Sequence, residues 1–162
     1  MKWRQARGVV MLFAVATGLV SVALTGGAYA QAAQPNQGEE ANASTVGAEQ
    51  VMTVLNDGLT GHNSERFLSA FDPDQMQNYS SFADQVRTLF DLYDNFRVHY
   101  QILEVRPAPD ATATVTANLE LQADDAHSNV PGLSRNGQIH LHLSTGKRGW
   151  KISDLQPRGF FR

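Results

Sequence analysis

Ala113-Thr114-Val115-Thr116-Ala117-Asn118-Leu119-Glu120-Leu121-Gln122 alternates apolar and polar side chains without a break. A period of two predicts a β-strand with one face buried and one face wet. The same period appears on either side. Upstream, Phe96, Val98, Tyr100 and Ile102 alternate with Arg97, His99 and Gln101. Downstream, Ile139, Leu141 and Leu143 alternate with Gln138, His140 and His142, and Trp150 and Ile152 alternate with Lys151 and Ser153. Turn sequences separate the runs: Pro107-Ala108-Pro109-Asp110, a loop with Pro131-Gly132, and Gly146-Lys147-Arg148-Gly149. Consecutive strands that all turn their apolar sides one way require an antiparallel sheet with a single buried face.

Something must cover that face, and the sequence before Phe96 supplies it. Ala48, Val51, Met52, Leu55 and Leu59 fall on one side of a helix that Gly61 would stop. Phe67, Leu68 and Phe71 mark a short second helix, closed by Asp72-Pro73-Asp74. A third carries Phe82, Val86, Leu89, Phe90 and Tyr93 on one stripe, with Ser81-Phe82-Ala83-Asp84 as its expected capping box. The expected fold class is therefore α+β: three N-terminal helices packed on a curved four-stranded antiparallel sheet.

The first 30 residues read differently. Lys2, Arg4 and Arg7 precede an uncharged apolar run from Gly8 to Leu24, and Ala28-Tyr29-Ala30 has small residues at both positions of a leader-cleavage site. Residues 1–30 are expected to be a signal peptide that exports the chain to a periplasm or the outside. The alternative is a retained N-terminal membrane anchor, although the run falls short of the roughly 20 apolar residues a spanning helix needs. Residues 31–45 lack an apolar face and are expected to be a flexible tether. Residues 46–162 form the domain.

The formal charge is −3, and the leader holds three of the bases and no acid, so the remainder is more acidic still. An acidic domain with scattered Lys and Arg does not suit nucleic acid or anionic lipid. The absence of cysteine excludes disulfides, thiolate metal sites and thiol nucleophiles.

The order of elements resembles the cone-shaped superfamily named for nuclear transport factor 2, which includes ketosteroid isomerases and SnoaL-like cyclases. The resemblance covers about Val46 to Phe161. It is strongest in Phe90-Asp91-Leu92-Tyr93-Asp94-Asn95-Phe96 and in Gly149-Trp150-Lys151-Ile152-Ser153-Asp154-Leu155. It implies a sheet curled around helices with an apolar cavity inside. In enzymatic members that cavity holds an Asp, Glu or His as acid or base.

None of the inward strand positions named above is Asp, Glu or His. Tyr100 alone carries a hydroxyl, and a phenol titrates too high to act unaided as a base at neutral pH. Asp57, His62 or Asp91 on the helices would be the remaining sources, and their spacing selects none of them. No catalytic residue is assigned, and no cofactor is expected. The expected function is a non-catalytic exported domain that binds a small apolar ligand or pairs with a second copy through its sheet. An acid–base enzyme of the isomerase or cyclase kind is the alternative.

Two groups of site residues follow. Phe71, Phe90, Tyr93, Tyr100 and Trp150 are the candidate lining of an apolar pocket. On the outer face, symmetric hairpins would align His99, Glu120, His140 and Ser153 in one row, beside Gln101, Asn118, His142 and Lys151. Two imidazoles and a carboxylate at cross-strand spacing suit a divalent metal, which makes His99, Glu120, His140 and His142 candidate ligands. The plainer reading is a hydrogen-bonded polar row or a dimer face. The ending Phe160-Phe161 leaves two placements open: folded back against the narrow end of the cone, or exposed for a partner.

Overall fold

The computed structural model describes residues 37–127 and 131–161. The leader and the start of the tether lie outside the described residues. Helix α1 spans Gln37–Thr60, α2 Ser64–Leu68 and α3 Tyr79–Leu92. Four strands follow, β1 Tyr93–Ala108, β2 Thr112–Asp125, β3 Leu133–Gly146 and β4 Gly149–Gln156, and then a 3-10 turn, Arg158–Phe161. The sheet is antiparallel in the order β1-β2-β3-β4. These are the three helices and four-stranded sheet that the periodicities predict.

Helix boundaries differ from expectation in two places. Residues 37–45, expected in the tether, belong to α1. Glu39 and Glu40 sit in its first turn, where the helix dipole favours acids, and Ala41 and Ala43 are good helix formers. No apolar stripe announces this segment, because its one buried residue is Ser44. Helix α3 starts at Tyr79, behind an Asn78 in the left-handed region (φ 56°) that makes no side-chain cap bond. The expected capping box at Ser81 therefore lies inside the helix, and the Asp84 carboxylate accepts from Arg87 instead (3.3 Å).

The sheet is bent by three irregularities. Asn95 and Phe96 together oppose Ala123, with Asn95 at φ 49°, which turns Phe96 under the helices. Leu103 is an extra residue between the pairs Ile102–Ala117 and Glu104–Thr116, and Ser153 between Leu143–Ile152 and His142–Asp154. The free side of β4 is partly covered, since Ile152 exchanges backbone bonds with Ala70 (2.8 Å) and Asp72 (2.9 Å). β1 is the other edge, which explains why Tyr100, an inward position by alternation, remains 39% exposed.

The core lies between the sheet and α1–α3. Val115, Ala117, Leu119, Leu121, Ile139, Leu141, Leu143 and Ile152 meet Val51, Met52, Leu55, Leu59, Phe67 and Val86 there. Two glycines set the helix distances. A Cβ on Gly58 would lie 2.5 Å from the Phe67 backbone nitrogen, so α2 packs directly on the α1 backbone. A Cβ on Gly47 would lie 2.3 Å from Trp150 Cδ1, so the indole lies flat against α1.

Candidate functional site

The space between α1 and the sheet is nearly filled. Phe161 reaches it from the final 3-10 turn and is 1% exposed. Its ring meets Phe67 edge-on, centroids 5.0 Å apart. What remains beside it is a void of about 10 Å³ lined by Met52, Leu55, Asn56, Leu59, Val98, Tyr100, Leu119 and Phe161 itself. Burying one such ring contributes about 1.5–3 kcal/mol, so the tail is a substantial part of the core.

Polar bonds fix the tail in place. Arg158 donates to Asp154 (2.7 Å) and to the Gln77 carbonyl (2.9 Å). Phe160 packs against Gly137 on β3, and its carbonyl accepts from Arg135. Burial pushes the Arg135 guanidinium below its usual value, with Tyr93 acting in the opposite direction. Arg135 pairs with Leu121 across the sheet and shares the inner parity of Gly137 and Ile139. With Asp125 at the end of β2, it is one of two charged side chains among the described inward strand positions. Sequence reasoning missed it because Leu133-Ser134-Arg135-Asn136-Gly137 shows no apolar alternation and reads as loop.

The candidate pocket aromatics are dispersed. Phe71 and Phe90 are core residues, 5.5 Å and 6.0 Å from the Phe67 ring centroid. Tyr93 is half-buried where α3 passes into β1. Tyr100 lines the small void, and Trp150 lines a separate surface hollow with Val54 and Arg66. Phe161 and α1 fill most of the space beneath the sheet beside Tyr100.

The outer row is not assembled as expected. His99 does face Glu120, and Gln101 faces Asn118. Glu120, however, lies opposite Asn136, four residues before His140, and His140 faces Thr116. On the other side His140 faces Gln156, and His142 faces Asp154 instead of Lys151. The expected register assumed symmetric loops. A slip by an even number of residues leaves every side chain on its own face, so alternation cannot detect it. His140 and His142 instead meet the Thr116 and Thr114 hydroxyls, at 3.2 and 3.5 Å. Glu120 accepts from Gln122 (2.8 Å). Among the described residues no group of three or more His, Asp or Glu comes together to hold a metal, so His99, Glu120, His140 and His142 do not form one site.

The titratable helix residues are committed elsewhere. Asp57 pairs with Arg66 (3.4 Å), and His62 Nε2 lies 3.0 Å from both the Phe90 and Tyr93 carbonyls, which makes it a donor that closes the end of α3. Asp91 is exposed.

A larger groove of about 590 Å³ opens outside the core, between α2 and the β3–β4 turn. Its floor is Leu68, Phe71 and Pro73, and its rim carries Glu65, Asp72, Asp74, Lys147, Arg148 and Lys151. Much of that charge already has a partner. Glu65 accepts from Arg87 (3.2 Å), Asp72 accepts from the Asp74 amide (2.9 Å), and Lys151 donates to the Ser69 carbonyl. Burial, then Glu65, raises the Tyr79 phenol against the opposing pull of Arg87, so it stays protonated at neutral pH. The Ser69 hydroxyl on the groove wall donates to the Arg66 carbonyl (2.6 Å).

No family model matches the sequence, and no curated protein is significantly similar to it. Solved structures do match. A candidate scytalone dehydratase from Novosphingobium aromaticivorans is 12% identical with a TM-score of 0.63, over 74% of this chain and 85% of that one. A ketosteroid isomerase-like protein from Erwinia carotovora is 16% identical with a TM-score of 0.56, over 72% and 93%. A nuclear transport factor 2-like protein of unknown function from Shewanella oneidensis is 10% identical with a TM-score of 0.54, over 68% and 95%. The chain has the nuclear transport factor 2-like fold. Fold alone does not assign chemistry.

Proposed function

We propose that this is a non-catalytic binding domain whose cone accepts a small apolar ligand in the place that Phe161 occupies. The observation that carries this reading is the seat of Phe161, a ring buried among Met52, Leu55, Leu59 and Leu119 at the end of a short turn. An acid–base enzyme needs a titratable group in that space with a tuned pKa. Among the described inward strand positions the one carboxylate is Asp125, at the end of β2, and its Oδ1 accepts from the His127 amide (3.2 Å). Titration of the domain with toluene, followed by amide chemical shifts, tests the reading. Shifts at Met52, Leu55, Leu59 and Leu119, larger in Phe161→Ala than in the native chain, support it. A Phe161→Ala protein that folds and takes up no toluene contradicts it.

Export belongs to the same proposal and is supported by the charged, apolar and small-residue order of the first 30 residues. N-terminal sequencing of the secreted product is expected to begin at Gln31. Pairing of two copies through the sheet is supported by Leu103, which the β1 bulge leaves 46% exposed. Sedimentation should then give a dimer that Leu103→Lys converts to monomer.

A further inference from the structure

Basic residues that are scattered along the sequence come together at one place in the fold. A surface hollow of about 320 Å³ lies where the β3–β4 turn meets α1 and the end of α2. Its lining includes Arg66, Arg148 and Lys151 and no acidic side chain. Its apolar walls are the half-buried Val54 and Trp150. The indole is held from behind, because Gly47 lets it lie flat on α1. The hollow is rich in donors. Lys151 is committed to the Ser69 carbonyl, and Arg66 pairs with Asp57 (3.4 Å). The Arg148 guanidinium and the Trp150 indole N–H have no hydrogen-bond or ion-pair partner among the described residues. Arg148 also borders the larger groove, where Glu65 and Asp72 already have donors. Free donors beside an apolar wall match a ligand that brings acceptors and a flat apolar body. A guanidinium favours a planar oxyanion, which it can hold by two parallel bonds.

We propose that this hollow binds small aromatic carboxylates, with the carboxylate on Arg148 and the ring against Trp150 and Val54. The site shares no lining residue with the void beside Phe161, so it stands whether or not the cone takes a ligand. Its volume is at the lower end of the range for small-ligand pockets, which suits a fused ring pair and no long chain. The matching probe is 2-naphthoate.

The test is a chemical-shift titration of the full chain with 2-naphthoate, its uncharged isostere 2-naphthamide, and inorganic phosphate. A Trp3→Phe background leaves Trp150 as the one indole signal. The acid is expected to move the Trp150 indole N–H and Val54 methyl signals. It should bind at least about threefold more tightly than the amide, the size of one half-exposed ion pair. Phosphate, which has no ring, should bind more weakly than the acid. Arg148→Gln should abolish the preference for the acid, and Arg148→Lys should retain part of it. Equal affinities for acid and amide would overturn the carboxylate assignment, and that comparison needs no Arg148 variant. Phosphate binding as tightly as the acid would overturn the role of the ring. An indole signal that 2-naphthoate leaves unmoved, with shifts confined to Met52, Leu55 and Leu119 or with none at all, would overturn the site itself. The first of those two patterns would support the cone reading and the second would count against it, so the two proposals fail separately.

Discussion

Phe161 stands edge-on to Phe67, ring centroids 5.0 Å apart at 69°, which joins the last described residue of the chain to α2. A residue so near a chain end usually contributes little, yet Phe161 is 1% exposed. Phe161→Ala is expected to destabilise the domain by about 3–5 kcal/mol, the range for deleting a buried Phe ring. Phe161→Leu should cost less, because it refills part of the space. Equilibrium urea unfolding measures both.

A Cβ added to Gly58 would stand 2.5 Å from the Phe67 backbone nitrogen, closer than real Cβ atoms come. Gly→Ala in a helix interior ordinarily stabilises by roughly 0.5–1 kcal/mol. Here the sign should reverse, to a loss of about 1–3 kcal/mol, because the obstacle is backbone and α2 must move away. A thermal melt that rises for Gly58→Ala would refute this packing.

Asn63 caps α2, its Oδ1 accepting from the Arg66 amide at 2.8 Å. Asn63→Ala should cost about 0.5–2 kcal/mol, whereas Asn63→Asp, which keeps the acceptor, should be close to neutral. Urea midpoints of the two variants separate the cap from any general effect of altering the loop.

Burial would raise the Asp154 carboxyl, but hydrogen bonds from Arg158, Gln156 and the Leu155 amide outweigh it and hold the group below its usual 3.8. A depressed folded-state pKa gives stability that is present above 3.8 and lost as pH falls through the lowered value. Asp154→Asn should therefore be less stable than the native chain at neutral pH, by up to about 1 kcal/mol for a partly exposed pair. The gap should narrow below pH 3.8. Denaturant midpoints against pH provide the check.

The fold was legible because each strand repeats its apolar side chain every second residue and the buried sets coincide with that pattern, as in Val115, Ala117, Leu119 and Leu121. Three features were not. The start of α1 rests on acids and alanines, which leave no apolar stripe. The β2–β3 register depends on how the intervening loop closes, and pairing Glu120 with Asn136 or with His140 preserves the same faces. Arg135 turns inward from a polar segment, and the Phe160 carbonyl it donates to comes from 25 residues later. The candidate metal row does not assemble in this register, and nothing local in Gly159-Phe160-Phe161 says that these rings return to the core.

Contacts between the Phe161 ring and the methyl groups of Met52, Leu55, Leu59 and Leu119 test the plugged cone most directly. A nuclear Overhauser spectrum of the ligand-free domain should connect that ring to those methyls, with slow exchange of the surrounding amides. A sharp Phe161 signal with no such cross-peaks would place the ring outside the cone, and the proposed binding site would lose its basis.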